Sequence, residues 1–454
     1  MRLNKNDKIV LDIKSLNSDV VGVAEYKGNT ILVSGALIGE KVEAKILAIK
    51  KQIAFAKIEK ILIASKDRVI PPCKFFLKCG GCSFQHLSYG RELEFKKQLI
   101  LDAFNSEGIS LSNLPLEIIS SKEYRYRNKL SLPIRKGIGH KFLVGFFRKR
   151  SHEVIDIVDC LLQTESCKNL IANLKKLMHK HKVESYDETN HTGHLRHIQV
   201  RTLGEKAVVC LAGLKPTLDK QFVVDFASSL EILYNDKFSL FYNYNPDKTN
   251  SIFSKDFSFI VGDNAPIVID GLKMSVHPAG FFQVNDSIRK ELFEYIENIV
   301  KNQNIDTIIE GYAGQGVIAA KLSPFVKNIY AVEISPESIR AGQELKEFNN
   351  IKNLNYILGD CALELNKLLK QEEKSVLILD PPRSGVYIET ISAILSNPPQ
   401  DIIYISCNPR TLARDVKVLL EKFDIVEVKG FDMFPKTTNI ETVVVLKRKL
   451  VRIN

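Results

Sequence analysis

The stretch TIIEGYAGQG, residues 307–316, decides the fold predicted for the C-terminal part of the chain. Its first residues predict a buried strand, and its glycines predict a loop that lets a ligand approach the backbone. A helix is predicted directly afterwards, over 317–322, so the loop leads into a helix N-terminus. A second strand, 329–333, ends in Glu333, about 20 residues beyond the loop, where an acid can accept from ribose hydroxyls. The pattern predicts a nucleotide-binding α/β sheet, and it does not separate NAD from S-adenosylmethionine.

A later stretch, VLILDPPRSG at residues 376–385, narrows the choice of ligand. It places Asp380 at the carboxyl end of a strand, where open α/β sheets bind ligands, and two prolines hold the chain rigid behind it. Such a corner resembles the catalytic loop of S-adenosylmethionine-dependent methyltransferases that act on bases. A plain turn is the alternative interpretation. Strands and helices alternate from about residue 281 onward, which predicts a Rossmann-like α/β domain over 281–454.

The next predicted strand, in IIYISCNPR at residues 402–410, leads directly to Cys407. Asn408 is a good helix N-cap and Pro409 suits the first helical position, so the thiol is predicted at a strand-to-helix corner. The positive end of a helix favours thiolate over thiol, and a thiolate is a nucleophile. For a lone cysteine, a small hydrophobic side chain at a strand end is the commoner interpretation.

A thiolate beside a methyl donor suits methylation of a pyrimidine at C5. A nitrogen target has its own lone pair, whereas C5 becomes nucleophilic only after a nucleophile has added at C6. A base must then remove the C5 proton before the thiol can leave. Glu441, in NIETVVVL at residues 439–446, precedes the last predicted strand and is the candidate base. An ordinary surface glutamate is the usual interpretation of such a residue.

Length, charge and cysteine content restrict the class of protein. A chain of 454 residues is too long for one ordinary core, which predicts several domains. The formal charge of +11 and a pI near 9.0 fit a polyanionic partner. No signal region or membrane-length apolar run is evident, so we expect a cytoplasmic protein without a membrane partner. Because cytoplasmic thiols stay reduced, the eight cysteines indicate metal binding or catalysis before disulfides.

The N-terminal segment alternates and turns often. Residues 8–62 predict about five short strands, a count that fits a small OB-like β-barrel. VSGALIGE at residues 33–40 resembles the central loop of a TRAM domain, an RNA-binding barrel. Any small lysine-rich β-barrel is the alternative.

Three cysteines, Cys73, Cys79 and Cys82, lie in one short loop whose glycines let the backbone fold closely around a bound group. Cys160 is the candidate fourth ligand. Four thiolates suit a [4Fe-4S] cluster or a structural zinc. The three-plus-one spacing favours a closed, structural cluster, and free thiols are the alternative.

The middle of the chain, 66–280, has a mixed α and β pattern. Two of its stretches interleave aromatic residues with cations, which can stack bases and neutralise phosphates. Half-exposed strands with basic outer faces are an equal alternative. The candidate RNA-contacting residues in these stretches are Arg125, Arg127, Arg148 and Arg150.

Taken together, the motifs resemble the RNA uracil-C5-methyltransferase family, in the form that has an N-terminal TRAM domain and an iron–sulfur cluster. The resemblance covers nearly the whole chain, and FFQVN at residues 281–285 adds a further motif. It implies a multi-domain protein with three parts. These are a TRAM β-barrel over 1–65, a central α+β domain with the cluster loop over 66–280, and an S-adenosylmethionine-dependent methyltransferase domain over 281–454.

The resemblance also implies roles for individual residues. Cys407 matches the nucleophile, Glu441 the base, and Asp380 an acid between cofactor and uracil, while Phe281 matches a residue near the target base. The positions that match contacts to S-adenosylmethionine are Gln283, Tyr312, Gly314, Glu333, Asp360 and Asp380. The positions that match ligands of the [4Fe-4S] cluster are Cys73, Cys79, Cys82 and Cys160.

Some positions depart from the family pattern. Glu310 replaces the usual Asp, and Ala313 replaces the usual Cys of the glycine loop; both changes could retune cofactor binding. Asn439 replaces a common His before the candidate base and could alter how Glu441 is held. None of these changes removes a chemical role, so we expect an active enzyme.

The partner implied by the resemblance is RNA. The predicted barrel and cluster favour 23S rRNA over tRNA, and a monomer is expected. C5 methylation of cytosine, a non-catalytic RNA-binding protein on the same fold and an electron-transfer protein are the alternatives. Intact Cys407, Glu441 and Asp380 argue against a protein that only binds RNA.

Overall fold

Two compact units make up the chain. The computed structural model describes residues 3–139, 142–149, 151–303, 305–372 and 374–450. The first unit comprises the chain up to Leu99 together with Phe146–Ile155 and Phe434–Asn439. The second unit comprises Ile100–Gly145, Asp156–Met433 and the chain from Ile440 onward.

Six strands form one sheet in the described N-terminal residues, with the order β1-β5-β6-β4-β3-β2. Their bounds are β1 (Lys8–Asp12), β2 (Ser15–Leu16), β3 (Gly22–Tyr26), β4 (Asn29–Ser34), β5 (Lys41–Lys50) and β6 (Ile53–Ile63). Alternate residues of β1 are buried, because one face of the sheet covers an apolar core. The predicted β-rich N-terminal segment is confirmed. Strand β2, of two residues, was not predicted.

The next elements make up the central part of the chain. They are α1 (Tyr89–Ser106), β7 (Leu116–Ile119), β8 (Lys129–Lys136), β9 (Phe142–Phe147), β10 (Val154–Asp156), α2 (Lys168–Lys180), β11 (Leu195–Leu203), β12 (Lys206–Gly213), α3 (Lys220–Tyr234), β13 (Phe238–Tyr244), β14 (Asp256–Gly262), β15 (Ile267–Ile269) and β16 (Leu272–Met274). Strands β8, β11, β12, β13 and β14 are successive neighbours in a mixed sheet. All residues of β11 and β12 are buried, and β12 is mainly apolar, whereas β11 also buries polar and charged side chains such as Arg201.

The C-terminal elements alternate as predicted. They are α4 (Asp286–Lys301), β17 (Thr307–Gly311), α5 (Val317–Leu322), β18 (Asn328–Glu333), α6 (Pro336–Phe348), β19 (Leu354–Leu358), α7 (Cys361–Gln371), β20 (Ser375–Leu379), α8 (Ile388–Ser396), β21 (Asp401–Ser406), α9 (Pro409–Leu419), β22 (Phe423–Phe431) and β23 (Glu441–Arg448). Together with β7 they build an eight-stranded sheet with the order β19-β18-β17-β20-β21-β23-β22-β7. The predicted α/β sheet with alternating strands and helices is therefore confirmed.

Strand direction determines which residues meet at one edge of this sheet. Strands β17 to β21 are parallel to one another, so their carboxyl ends lie at the same edge. Strand β23 is antiparallel to β21, so its amino end lies at that edge too. Glu310 and Gly311, predicted in the glycine loop, instead form the end of β17.

Candidate active site

Cys407 follows the last residue of β21 and precedes α9, as the sequence predicts. Asn408 has an extended backbone, and its side chain accepts from the N–H of Arg410 at 3.2 Å, which caps the helix. Pro409 occupies the first turn. The thiol is partly exposed and lies at the positive end of a helix.

The charges around Cys407 oppose one another. Burial raises the pKa of the Cys407 thiol, and the negative charges of Glu441 and Asp380 raise it further. The guanidinium of Arg383 lowers this pKa, both by its charge and by a hydrogen bond to the thiol. Arg383 is therefore the group that favours the thiolate among those that act on Cys407.

Glu441 is brought to Cys407 by the pairing of β23 with β21. Ser406, the last residue of β21, pairs with Thr442, so Glu441 begins its strand beside the cysteine. The Glu441 side chain is buried. Burial raises its pKa well above the ordinary value, Asp380 raises it further, and Arg383 lowers it. A carboxylate with a raised pKa is a stronger base, which suits proton removal.

Asp380 follows β20, the strand next to β21, and lies at the same edge. Burial raises the pKa of Asp380 to about 7. Because Asp380 also raises the pKa of Glu441, ionisation of one acid disfavours ionisation of the other. The edge of the sheet thus combines a thiol, two acids and one arginine.

The predicted cofactor residues lie at the neighbouring strand ends. Glu333 ends β18, and its Oε2 accepts from the backbone N–H of Gly314 at 2.8 Å. Gly314 has a positive φ of 57° and open space where a Cβ would stand, so ligand atoms can approach the backbone here. Tyr312 follows β17 with a φ of 61°, and its hydroxyl is 3.3 Å from the hydroxyl of Thr390.

Asp360 lies at the end of β19, where it caps α7. One of its carboxylate oxygens accepts from the N–H groups of Ala362 and Leu363, at 2.9 and 3.3 Å. The N–H of the preceding Gly359 donates to the carbonyl of Glu333 at 3.0 Å. Asp360 is therefore next to the acid at the end of β18, with its side chain exposed.

The segment 280–285, which includes Phe281 and Gln283, begins beside the glycine loop. A Cβ on Gly280 would lie 3.2 Å from the side-chain nitrogen of Gln315 in that loop. Asn128 fixes the segment by donating from its side chain to the carbonyl of Gln283 at 3.0 Å. Phe281 is 75% exposed, so its ring is available to a ligand.

A model of the tRNA (Uracil-5-)-methyltransferase family matches residues 88–449, well over half of the chain. The chain belongs to this family. The resemblance to the RNA uracil-C5-methyltransferase family is thereby confirmed.

Two relatives of the chain are named uncharacterized RNA methyltransferases. One, from Listeria innocua, is 34% identical over 454 residues, which cover 98% of this chain and 99% of the relative. Another, from Clostridium tetani, is 34% identical over 455 residues, which cover 98% of this chain and 97% of the relative.

A solved structure supports the fold. The tRNA (uracil-54, C5)-methyltransferase of Pyrococcus abyssi, in complex with S-adenosyl-L-homocysteine, superimposes with a TM-score of 0.76. The match covers 96% of this chain and 100% of that protein, at 24% identity.

The four predicted cluster cysteines are divided between the two units. Cys73, Cys79 and Cys82 lie in the first unit and Cys160 in the second. The N–H of Gly81 is 3.4 Å from Cys79 Sγ, and a side-chain N–H of Gln85 donates to Cys82 Sγ at 3.2 Å. Donors of this kind stabilise metal-bound thiolates.

Within the described residues, however, no three His, Cys, Asp or Glu side chains are arranged to hold a metal ion. Burial raises the pKa of the Cys79 thiol, which favours its protonated form. The donors to sulfur fit a thiolate-bound group, but the described geometry does not form its site. A [4Fe-4S] cluster is therefore not shown by this structure.

The candidate RNA-contacting arginines have different surroundings. Arg125 forms ion pairs with Asp159 at 2.7 Å and Glu165 at 2.9 Å, so its charge is neutralised within the protein. Arg148 likewise pairs with Glu153 at 2.8 Å.

Arg127 differs from these two arginines. Its Nε donates to the carbonyl of Lys129 at 3.2 Å, and no carboxylate within the described residues forms an ion pair with it. Of the described candidates it is the better suited to meet a phosphate. Arg150 lies outside the described residues.

Sequence reasoning missed two residues that support this site. Arg383 follows the two prolines after Asp380, and this position was the available signal. Arg201, which is buried in β11, donates to the carbonyls of Gly280 and Phe282 at 2.9 and 3.2 Å. No local pattern could reveal the second contact, because its partner lies 81 residues along the chain.

None of the helices in the described ranges combines the length and the apolar character that a membrane span requires.

Proposed function

We propose that the protein transfers a methyl group from S-adenosylmethionine to C5 of a uridine in RNA. The observation that carries this proposal is the convergence of Cys407, Glu441, Asp380 and Arg383 at one edge of the sheet, where each acts on the charge of another. Family membership gives independent support.

In the proposed reaction, S-adenosylmethionine supplies an electrophilic methyl group. The Cys407 thiolate adds to C6 of the uracil, and the ring electrons make C5 nucleophilic. C5 takes the methyl group as the sulfur–methyl bond breaks and S-adenosylhomocysteine is left, and the Glu441 carboxylate then accepts the C5 proton. The electrons of that C–H bond restore the C5–C6 double bond and expel the Cys407 thiolate. The arginine beside the thiol favours its anionic form at both ends of the cycle.

The cofactor is proposed to bind along the strand ends of β17, β18 and β19. Glu333 would accept from the ribose hydroxyls, because each of its oxygens is oriented by one backbone N–H and keeps a free lone pair. Asp360 would lie near the adenine, and the open glycine loop would face the methionine part. Gln283 and Tyr312 would complete the contacts, and Phe281 would contact the target base.

The proposed substrate is 23S rRNA, with a monomeric, cytoplasmic enzyme acting on it. We propose that the β-rich N-terminal segment is a TRAM domain over 1–65. A second RNA-binding domain outside the catalytic domain would support RNA as the substrate. A central domain over 66–280 and a catalytic domain over 281–454 complete the proposed division. The alternative is a tRNA uridine, which the names of the family and of the Pyrococcus abyssi enzyme favour. A non-catalytic RNA-binding protein is less well supported, because the reactive groups are intact.

The test uses RNA substituted with 5-fluorouridine, together with S-adenosylmethionine and the full-length protein. Fluorine at C5 cannot leave as a proton, so a thiolate that has added at C6 stays attached after methyl transfer. We expect a complex that survives denaturation with wild-type protein and not with Cys407→Ala. Fragments of 23S rRNA and transfer RNAs are compared to identify the substrate. Methylation of unsubstituted RNA without any trapped complex would contradict the proposal.

A further inference from the structure

A single buried carboxylate, that of Asp415 in α9, joins three segments around Cys407. Its Oδ2 accepts from the backbone N–H of Val386 at 2.8 Å and from the hydroxyl of Tyr404 at 2.7 Å. Its Oδ1 accepts from Nε of Arg414 at 2.8 Å. Tyr404 belongs to β21, the strand that leads to the cysteine, and Val386 belongs to the loop after β20.

The same helix holds two carbonyl groups of that loop. The carbonyl of Arg383 accepts from the side chains of Asn408 at 3.1 Å and Thr411 at 3.3 Å. The next carbonyl, that of Ser384, accepts from Nη2 of Arg414 at 3.0 Å. The backbone from 383 to 386 is thus fixed on α9 at both of its ends.

Gly385 lets the loop lie directly on this ion pair. Its φ is +80°, and a Cβ there would stand 2.5 Å from Oδ2 of Asp415 and 2.7 Å from Nη2 of Arg414. A side chain has no room at this position. The close approach of the loop to Asp415 and Arg414 therefore depends on the absence of a side chain at Gly385.

The loop matters because it carries the cation that meets the nucleophile. The charged groups that act on Cys407 are Glu441 from β23, Asp380 from the end of β20, and Arg383 from this loop. The two acids disfavour the thiolate, and the arginine opposes them. A small displacement of the loop would therefore change the balance of charge at the thiol.

We infer that Asp415 is a positioning residue for this site: by fixing residues 383–386 on α9, it keeps the guanidinium of Arg383 against the Cys407 thiol. Asp415 acts through Arg383. The inference rests on the proposed role of Cys407 as the nucleophile, whereas its test requires neither RNA nor S-adenosylmethionine.

Asp415→Asn is the informative variant because it preserves size and removes the charge. Its amide nitrogen would face either the two donors on one side or the guanidinium on the other, so one set of hydrogen bonds is lost. The loop should loosen and the arginine should move from the thiol. The pKa of Cys407 should then rise by about half a unit or more, which is about a threefold loss of thiolate at neutral pH.

The measurement is the rate at which iodoacetamide alkylates Cys407 in the full-length protein across neutral and alkaline pH. Mass spectrometry of the peptide that contains Cys407 separates this reaction from that of the other thiols. Asp401→Asn is the matched control, since Asp401 is a buried acid at the end of β21 that lies farther from Cys407. This control should leave the alkylation profile unchanged.

A double-mutant cycle separates positioning from general loosening. Arg383→Met should itself raise the pKa of Cys407, and adding Asp415→Asn to it should produce no further rise. An equal shift in both backgrounds, or no shift in folded Asp415→Asn, would overturn the inference.

If Asp415→Asn does not fold, Arg414→Ala provides a second test. The side chain of Arg414 is 51% exposed, and its loss removes the donor to the Ser384 carbonyl. A smaller rise in the same pKa is expected, and an unchanged profile would overturn the inference. Failure of the fluorouridine trap with a normal alkylation response would contradict the proposed function and leave this positioning role intact.

Discussion

The N–H of Gly314 donates to Oε2 of Glu333 at 2.8 Å, and this bond ties the glycine loop after β17 to the end of β18. The other carboxylate oxygen, Oε1, accepts from the N–H of Ser335 at 2.8 Å. The chain itself therefore orients both oxygens. An acid held in this way loses little conformational freedom when it accepts from a hydroxyl.

Glu333→Ala should weaken binding of S-adenosylmethionine about 10- to 100-fold, because a charged acceptor is lost together with the bond that holds Gly314. Glu333→Gln should weaken the binding of S-adenosylmethionine as well. The amide nitrogen of the new side chain would replace one of the two carboxylate oxygens and would then face the backbone N–H of Gly314 or Ser335, which it cannot accept from. Isothermal titration calorimetry without RNA measures the change. The exposed Glu337→Gln on α6 serves as the control, and unchanged affinity in folded Glu333→Ala would show that this acid does not contact the cofactor.

Glu441→Gln should stall the reaction after methyl transfer. The C5 proton would have no acceptor, so the covalent complex with unsubstituted RNA should persist through denaturation. Turnover should fall about 10²- to 10⁴-fold, the usual contribution of a general base. Gel electrophoresis of the complex, with transfer of labelled methyl groups as a second readout, measures both effects.

The exposed Asp424→Asn on β22 is the control for Glu441→Gln and should turn over normally. Normal turnover in Glu441→Gln would require another base. Turnover lost without any complex would place Glu441 before the addition step.

Local patterns predicted the strands, loop and helix that carry this candidate site. The glycine loop, the helix over 317–322 and the strand that ends in Glu333 follow from hydrophobic period and backbone freedom, which act over a few residues. These elements could therefore be predicted from the sequence. The strand ends also indicated that Asp380 and Cys407 share an edge, because parallel strands place their carboxyl ends together.

Contacts between distant segments were beyond such reasoning. Strand β7 pairs with β22, and β23 lies between β21 and β22, although no local period records these neighbours. The raised pKa of Glu441 arises from burial and from a second acid that only the folded chain brings near. Arg201 reaches carbonyls on a segment that follows it by about 80 positions. Tertiary packing, rather than propensity, sets all of these features.

Iron content tests the [4Fe-4S] cluster that the sequence predicts. If the four cysteines hold it, protein purified without oxygen should contain about four irons and matching sulfide per chain, and Cys79→Ser should lose most of both. Cys167→Ser is the matched control, because that buried thiol lies outside the cysteine loop. Elemental analysis and the visible absorption spectrum measure the outcome. One zinc per chain would favour the structural zinc, and absence of metal would favour free thiols.

Asp380 should make stability depend on pH. Its folded pKa is raised to about 7 by burial, whereas the unfolded value is about 4. An acid with a raised pKa holds its proton more tightly in the folded state, so its stabilising contribution is present below pH of about 4 and is lost as pH rises to about 7. Asp380→Asn imitates the protonated acid and should avoid that loss.

The variant should therefore melt at least about 2 °C higher than the wild type at neutral pH, and the difference should shrink toward acidic pH. Removing this negative charge should also lower the pKa of Cys407, because Asp380 raises it. Calorimetry and alkylation of Cys407 measure the two effects on the same samples. Asp401→Asn should change melting without changing alkylation, since burial raises the pKa of Asp401 far from the thiol. A difference in melting temperature between Asp380→Asn and the wild type that stays constant from pH about 4 to about 7 would contradict this prediction. It would mean that the pKa of Asp380 is not raised in the folded protein.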